Sequence, residues 1–151
     1  MANSMVKIDV HLIFHIKSTS VQMHPADLSR IFEYIGGTVR ALGGIPIIVG
    51  GVSDHVHILM SLPTTKTISD MARMLKANSS KWIKTLSPIY ATFAWQDGYG
   101  AFSVSPSSLS QTIEYIKRQE QHHQGKSFSD EYKALLEEYQ ISYDAKYLFN
   151  D

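Results

Sequence analysis

The chain opens on a strict alternation. Val6, Ile8, Val10, Leu12, Phe14 and Ile16 are apolar, and Lys7, Asp9, His11, Ile13 and His15 stand between them. Side chains of a strand point to opposite faces in turn, so this stretch predicts a strand with one buried face and one largely polar face. From Pro25 to Leu42 the period changes. Leu28, Ile31, Phe32, Ile35, Val39 and Leu42 recur at helical spacing, and Gly43-Gly44 supply the stop. Ile45 to Val52 is a β-rich run in which Gly50-Gly51 could bend or bulge the strand, and Ser53-Asp54 offer a turn. His55 to Leu62 alternates again, with Val56, Ile58, Met60 and Leu62 on one face, and Pro63 ends it.

Thr67 to Leu86 predicts a second helix, with Ile68, Met71, Leu75 and Ile83 among its apolar positions and Pro88 beyond it. Thr92 to Ser105 is aromatic and interrupted by Gly98 and Gly100, as expected of one or two short strands around a loop. Ser107 or Ser108 opens a third helix, with capping-box spacing from Ser108 to Gln111; it runs to about His123 and stops before Gly125. Phe128 to Tyr139 forms a fourth helical segment, and Ile141 to Asp151 a packed tail. The order predicts an α+β fold of the ferredoxin-like, split β-α-β kind. It is an antiparallel sheet with helices on one face and an additional helix near the C-terminus that carries a tyrosine. Even-numbered strand residues pack under the helices. Odd-numbered ones face outward, so His11, His15, His55 and His57 are expected on the open side of the sheet.

With 151 residues, no internal repeat and no dividing linker, the chain reads as one domain over 1–151. It has no cysteine, which excludes disulfides and cysteine–zinc sites. The first residues do not form a signal peptide, and no apolar run is long enough to span a bilayer. Fourteen basic and fourteen acidic residues cancel, which argues against a protein that grips long duplex DNA by phosphate neutralisation alone. The charge is uneven, however. Lys66, Arg73, Lys76, Lys81 and Lys84 face one acid, Asp70, between Thr64 and Thr85, while the segment after Lys126 is rich in acids. Two solvated helix faces would look the same; so would a local nucleic-acid footprint with an acidic tail.

Two constellations carry chemistry. In His55-Val56-His57 both imidazoles point the same way, so they can grip one divalent ion without leaving the strand, and Asp54 could orient one of them. By itself the triplet is also that of two half-exposed histidines. Tyr115 and Gln119 are one turn apart on the third helix, off the stripe of Leu109, Thr112, Ile113 and Ile116. A phenol attacks a phosphodiester only as its proton leaves; a nearby metal helps, and Gln119 could reach that metal. By spacing alone this is also a surface tyrosine beside a surface glutamine.

Asp54-His55-Val56-His57-Ile58-Leu59, Phe93 to Phe102, and Tyr115-Ile116-Lys117-Arg118-Gln119 with His122-His123 and Phe128…Glu131 together resemble the HUH-class, single-tyrosine transposases of the insertion-sequence-200 type and their relatives associated with repetitive extragenic palindromes. The resemblance runs from about Lys7 to Leu148. It implies a metal-dependent enzyme that cleaves and rejoins single-stranded DNA at hairpin-flanked element ends. Tyr115 would be the nucleophile of a 5′-phosphotyrosine intermediate, and His55, His57 and Gln119 the ligands of Mg²⁺ or Mn²⁺. It further implies a homodimer in which one subunit's tyrosine helix can complete the other's site, no nucleotide cofactor, no membrane association, and a prokaryotic cytoplasm. The basic helix from Thr67 to Leu86 and the outward strand faces would meet the DNA. His11 and His15 would contact DNA or water, and Trp95 and Phe102 would be core or base-stacking residues, with core the favoured reading. Ser103 to Ser108 is a hinge by position only. A non-catalytic or host-adapted nucleic-acid-binding domain of the same fold is the alternative. A metal hydrolase that uses water is a third reading, and it predicts no covalent adduct.

Overall fold

The structure, a computed structural model, describes residues 3–119, 127–146 and 148. Its elements follow the predicted order: β1 (Asp9–His15), α1 (Leu28–Ala41), β2 (Ile45–Val52), β3 (His55–Ser61), α2 (Ile68–Ile83), β4 (Gly100–Val104), α3 (Leu109–Lys117) and α4 (Phe128–Glu138). The strands form one sheet in the order β2-β3-β1-β4, and all three pairings are antiparallel. This is the expected α+β plan.

β1 is shorter than its alternation. Val6 and Ile8 lie outside it and are about half exposed. Asp9 pairs with Ser61 of β3 and Val104 of β4, the last residues of both neighbours, and one further bond, from the Leu62 N–H to the Ile8 carbonyl, ends the ladder. β2 and β3 form a hairpin whose two-residue turn is Ser53-Asp54, with Val52 opposite His55. The irregularity in β2 falls between Pro46 and Ile48 rather than at Gly50-Gly51. Proline has no N–H to give to a ladder, so the register slips there.

One face of the sheet carries the main core. Leu12, Phe14, Ile16, Val56, Ile58 and Met60 pack against Ile31, Ile35 and Val39 of α1 and against Met71, Leu75 and Ile83 of α2. Thr67 caps α2 in a reciprocal capping box with Asp70. Trp95 joins this core and donates its indole N–H to Ser79 Oγ at 2.9 Å. Phe102 is buried too, but on the other side of the sheet.

That other side is not open. Ile13 and Phe102 pack under Tyr132 and Leu136 of α4, and Leu59 and Val104 under Ile116 of α3. His11 and His15 are 4% and 8% exposed, His55 and His57 0%. The outward strand faces are therefore not a DNA-facing surface in this chain. Two glycines allow the closure. A Cβ on Gly50 would lie 2.8 Å from the Ile116 side chain, and one on Gly100 would lie 2.7 Å from the Tyr132 ring. The helices meet the sheet where it has no side chains.

The predicted capping box at the start of α3 does not form. Ser108 sits inside a short 3₁₀ turn with helical φ and ψ, and its side chain caps nothing. Ser127 caps α4 by accepting from the Asp130 N–H. His122, His123 and Gly125, on which the end of the third helix was placed, lie outside the described residues. In the tail, Tyr143 and Leu148 pack against the α4 cluster, while Tyr147 and 149–151 lie outside the described residues. Among the described residues no helix is long and apolar enough to cross a membrane.

Candidate metal centre and nucleophile

β3 holds Val56 in the main core and turns His55 and His57 together to the opposite face. The hairpin turn places Asp54 beside the first of them, with Oδ1 2.7 Å from His55 Nδ1. A carboxylate can only accept, so Nδ1 carries the ring proton and Nε2 faces inward. There it lies 3.1 Å from Gln119 Oε1. Both atoms are acceptors when Nδ1 holds the ring proton, so a cation between them would draw on both lone pairs.

His57 makes two contacts. Its Nε2 lies 2.9 Å from Oε1 of Glu131, on α4, and its Nδ1 lies 2.8 Å from His11 Nε2. Ligand-capable atoms of His55, His57 and Glu131 all fall within 4.8 Å of one another, and all three residues are buried. Phe128, one turn before Glu131, stacks on His55 at 4.2 Å between ring centroids.

Tyr115 closes the cluster. Its ring stands edge-on to His57 at 5.6 Å and to His11 at 6.2 Å, and its phenol lies beside the Glu131 carboxylate. Burial pushes the phenol pKa well above its usual 10, and the hydrogen bond and negative charge of Glu131 push it further. Burial also works against the charge of Glu131. The hydrogen bond and positive field of His57, with the bond from Tyr115, outweigh it and hold the carboxyl at about 2. Burial brings His57 down to about 4, against the pull of Glu131. Burial, with the neighbouring His57, brings His11 to about 3. At neutral pH His11 and His57 are therefore neutral, Glu131 is a carboxylate and the phenol keeps its proton. The His57–Glu131 contact is then one between a neutral ring and an anion rather than an ion pair.

The four site residues read from the sequence, His55, His57, Tyr115 and Gln119, are thus gathered in one place by one chain. Glu131 is the member that the spacing arguments missed. Its signal was present: Phe128, Glu131, Tyr132, Leu135 and Leu136 share a helical stripe, and an acid inside an apolar stripe needs a partner when it is buried. His11 and His15, expected to meet DNA or water, are buried. His15 gives its Nδ1–H to the Ile16 carbonyl at 2.7 Å. Tyr99, another tyrosine of the Phe93 to Phe102 stretch, lies across the sheet beside Lys76. A cleft of about 280 Å³ between α3 and α4 reaches Tyr115 and His11, with Gln111, Leu135 and Tyr139 in its walls.

The basic helix faces elsewhere. Lys17, Arg73, Lys84 and Tyr99 line a cleft of about 560 Å³ between α2 and the 93–99 loop. Lys76 sits at its floor and donates to the carbonyls of Gln96, Asp97 and Gly98, so it serves the loop rather than the solvent.

Two solved structures share this fold. A Deinococcus radiodurans protein provisionally described as a transposase superposes with a TM-score of 0.61 at 19% identity, over 79% of this chain and 95% of that one. A REP-associated tyrosine transposase bound to a REP hairpin superposes with a TM-score of 0.59 at 12% identity, over 82% of this chain and 73% of that one. Among curated proteins none is detectably similar in sequence. Residues 4–119 match the family model for IS200-like transposases, and the chain belongs to that family.

Proposed function

We propose that this transposase cleaves and rejoins single-stranded DNA at hairpin-flanked element ends, with Tyr115 as nucleophile. His55, His57, Glu131 and Gln119 would hold a divalent cation, Mg²⁺ or Mn²⁺. The observation that carries the reading is the run of contacts from Tyr115 through Glu131 to His57. Two imidazole nitrogens, a carboxylate oxygen and an amide oxygen suit such an ion. When bound, it supplies positive charge that polarises the scissile phosphate and lowers the phenol's pKa.

The chain's own residues do the rest. The Glu131 carboxylate stands beside the phenol, so it is placed to take the proton as the phenolic oxygen attacks phosphorus. A bond from phosphorus to the tyrosine oxygen forms. The bond to the 3′ oxygen breaks, and that oxygen leaves as a 3′-hydroxyl with a proton from solvent. Attack by a 3′-hydroxyl on the 5′-phosphotyrosine reverses these events and rejoins a strand, so no nucleotide cofactor is required. The cleft between α3 and α4 is the route by which a strand would reach Tyr115. The REP hairpin held by the structural relative supports a hairpin partner. Lys17, Arg73 and Lys84, on the far side of the sheet, offer phosphate contacts for its stem. Assembly as a homodimer belongs to the same reading. The contacts within one chain favour Tyr115 acting beside its own histidines.

The test is a denaturing gel of the protein with hairpin-flanked single-stranded DNA and Mn²⁺. A covalent protein–DNA adduct is expected. Tyr115→Phe should lose it by at least about 1000-fold while hairpin binding persists. Strand cleavage by Tyr115→Phe at the wild-type rate would reject the tyrosine and leave water as nucleophile.

A further inference from the structure

His11 belongs to no motif in the sequence, yet it is buried beside the candidate centre and makes one of its shortest contacts. We propose that His11 is a positioning residue that switches the tautomer of His57 when a cation binds. The proposal rests on the metal centre described above. The geometry is a nitrogen pair, His11 Nε2 and His57 Nδ1, at 2.8 Å, with the two rings stacked at 5.0 Å and 29°.

One proton must lie between those two nitrogens, and its side is set by the far end of His57. Without a cation, His57 Nε2 lies 2.9 Å from the Glu131 carboxylate, and beside an anion a protonated nitrogen is favoured over a lone pair. A neutral His57 then has a lone pair at Nδ1, so His11 donates from Nε2. A cation at His57 Nε2 needs the lone pair there instead. The Nε2 proton of His57 leaves to solvent. The proton between the rings moves to His57 Nδ1, and His11 Nε2 becomes the acceptor. His11 Nδ1 takes up one proton, reached from the cleft between α3 and α4 that His11 lines. Each ring begins and ends neutral, and the count of protons is unchanged. The position calls for a group that can donate or accept without changing charge. Imidazole does both; a carboxylate only accepts and an ammonium only donates. The contrast with His55 is direct: Asp54 accepts in both states, so His55 has one tautomer throughout.

The test uses the full chain. Long-range ¹⁵N–¹H spectra of the imidazoles should show His57 protonated at Nε2 in EDTA and at Nδ1 with saturating Mg²⁺, with His11 changing in step. Mn²⁺ titration followed by the free-ion electron paramagnetic resonance signal supplies the affinity. His11→Phe keeps the ring and loses the hydrogen bond. It should bind Mn²⁺ on the order of 10- to 100-fold more weakly. His11→Gln, whose amide can turn either end to His57, should recover most of that loss. A His57 tautomer that stays the same when Mg²⁺ binds overturns the proposal, even if His11→Phe fails to fold. So does His11→Phe binding Mn²⁺ as tightly as wild type. A wild-type chain that binds no Mn²⁺ overturns the metal centre itself, and the switch falls with it.

Discussion

On one side of the sheet, Leu12, Phe14, Val56, Ile58 and Met60 meet α1 and α2 with side chains that form no strong hydrogen bond. On the other, His11, His15, His55 and His57 meet α3 and α4, and water is excluded almost as fully. The first face holds by area and shape, worth about 25 cal/mol for each Å² of apolar surface removed from water. The second holds by particular bonds, because a buried imidazole or carboxylate costs free energy unless its polar atoms are satisfied. Asp54 supplies such a bond to His55 and His11 one to His57, while Gln119 and Glu131 stand at their inner nitrogens, 3.1 and 2.9 Å away. Stability therefore resides in one face and chemistry in the other, although both are closed by helices of the same chain.

Substitution should separate them most sharply at Phe14 and Glu131, both almost fully buried. Phe14→Ala leaves a cavity under the helices and should lower the unfolding free energy by about 3–5 kcal/mol. Glu131→Gln keeps the shape and a hydrogen-bonding amide, and removes a buried charge. Metal-free stability at neutral pH should fall, but by less than in Phe14→Ala, since the lowered carboxyl pKa means that the folded state favours the charged form. What Glu131→Gln should lose is stabilisation by Mn²⁺. That gain should be about 2.7 kcal/mol for wild type at 100 times the dissociation constant. Urea unfolding in EDTA and in Mn²⁺ measures both. If Glu131→Gln in EDTA is as unstable as Phe14→Ala, the two faces are not different in kind.

A smaller effect is expected where the histidine face is closed. Gly100→Ala sets a methyl group against the Tyr132 ring, one residue from Glu131 on α4. Overpacking of this size costs about 1–3 kcal/mol. The shift should fall on α4, so Mn²⁺ affinity should drop in Gly100→Ala, while folded Phe14→Ala binds Mn²⁺ like wild type. A Gly100→Ala chain with reduced stability and unchanged Mn²⁺ affinity would mean that α4 does not place Glu131.

The apolar face was legible in the sequence because period-2 alternation reports it directly: Leu12, Phe14, Val56, Ile58 and Met60 needed no knowledge of their partners. The same alternation misplaced the other face. A histidine on a strand looks like a solvent-facing residue, and what covers these four is Tyr115 of α3 and Phe128 of α4, far along the chain from all of them. No local period records such a pairing. The alternation also overran at Val6 and Ile8, where the residues suit a strand but both neighbouring strands have ended. Ser108 and Gln111 had the spacing of a cap, yet a 3₁₀ turn already occupied Ser108. The His55, His57, Tyr115 and Gln119 set became legible through family resemblance, since each pair alone has an ordinary structural meaning. Gly50 and Gly100 show how α3 and α4 reach the sheet, but only once the register is known.

Acid should distinguish the faces most gently. His11 and His57, at about 3 and about 4 in the fold, both lie below the ordinary histidine value of 6.5 because of burial. Between about pH 6.5 and 4 the unfolded chain therefore takes up protons that the folded chain refuses. The unfolded state binds more of them, so stability falls as pH falls through that window and is flat with respect to these groups above it. Each refused proton contributes a slope of at most about 1.4 kcal/mol per pH unit. The two rings share one contact, so a proton on either opposes a proton on the other, and the pair titrates as a unit. Glu131, held at about 2, extends the loss in the same direction below its ordinary value of 4.5. Urea unfolding of the metal-free protein at stepped pH reads the slope. His11→Gln removes one refused proton and should flatten the curve between pH 6.5 and 4. Phe14→Ala should lower the whole curve and leave its slope alone. Equal slopes for wild type and His11→Gln would show that burial under α3 and α4 does not keep these imidazoles neutral, and the contrast between the two faces would then lose its electrostatic half.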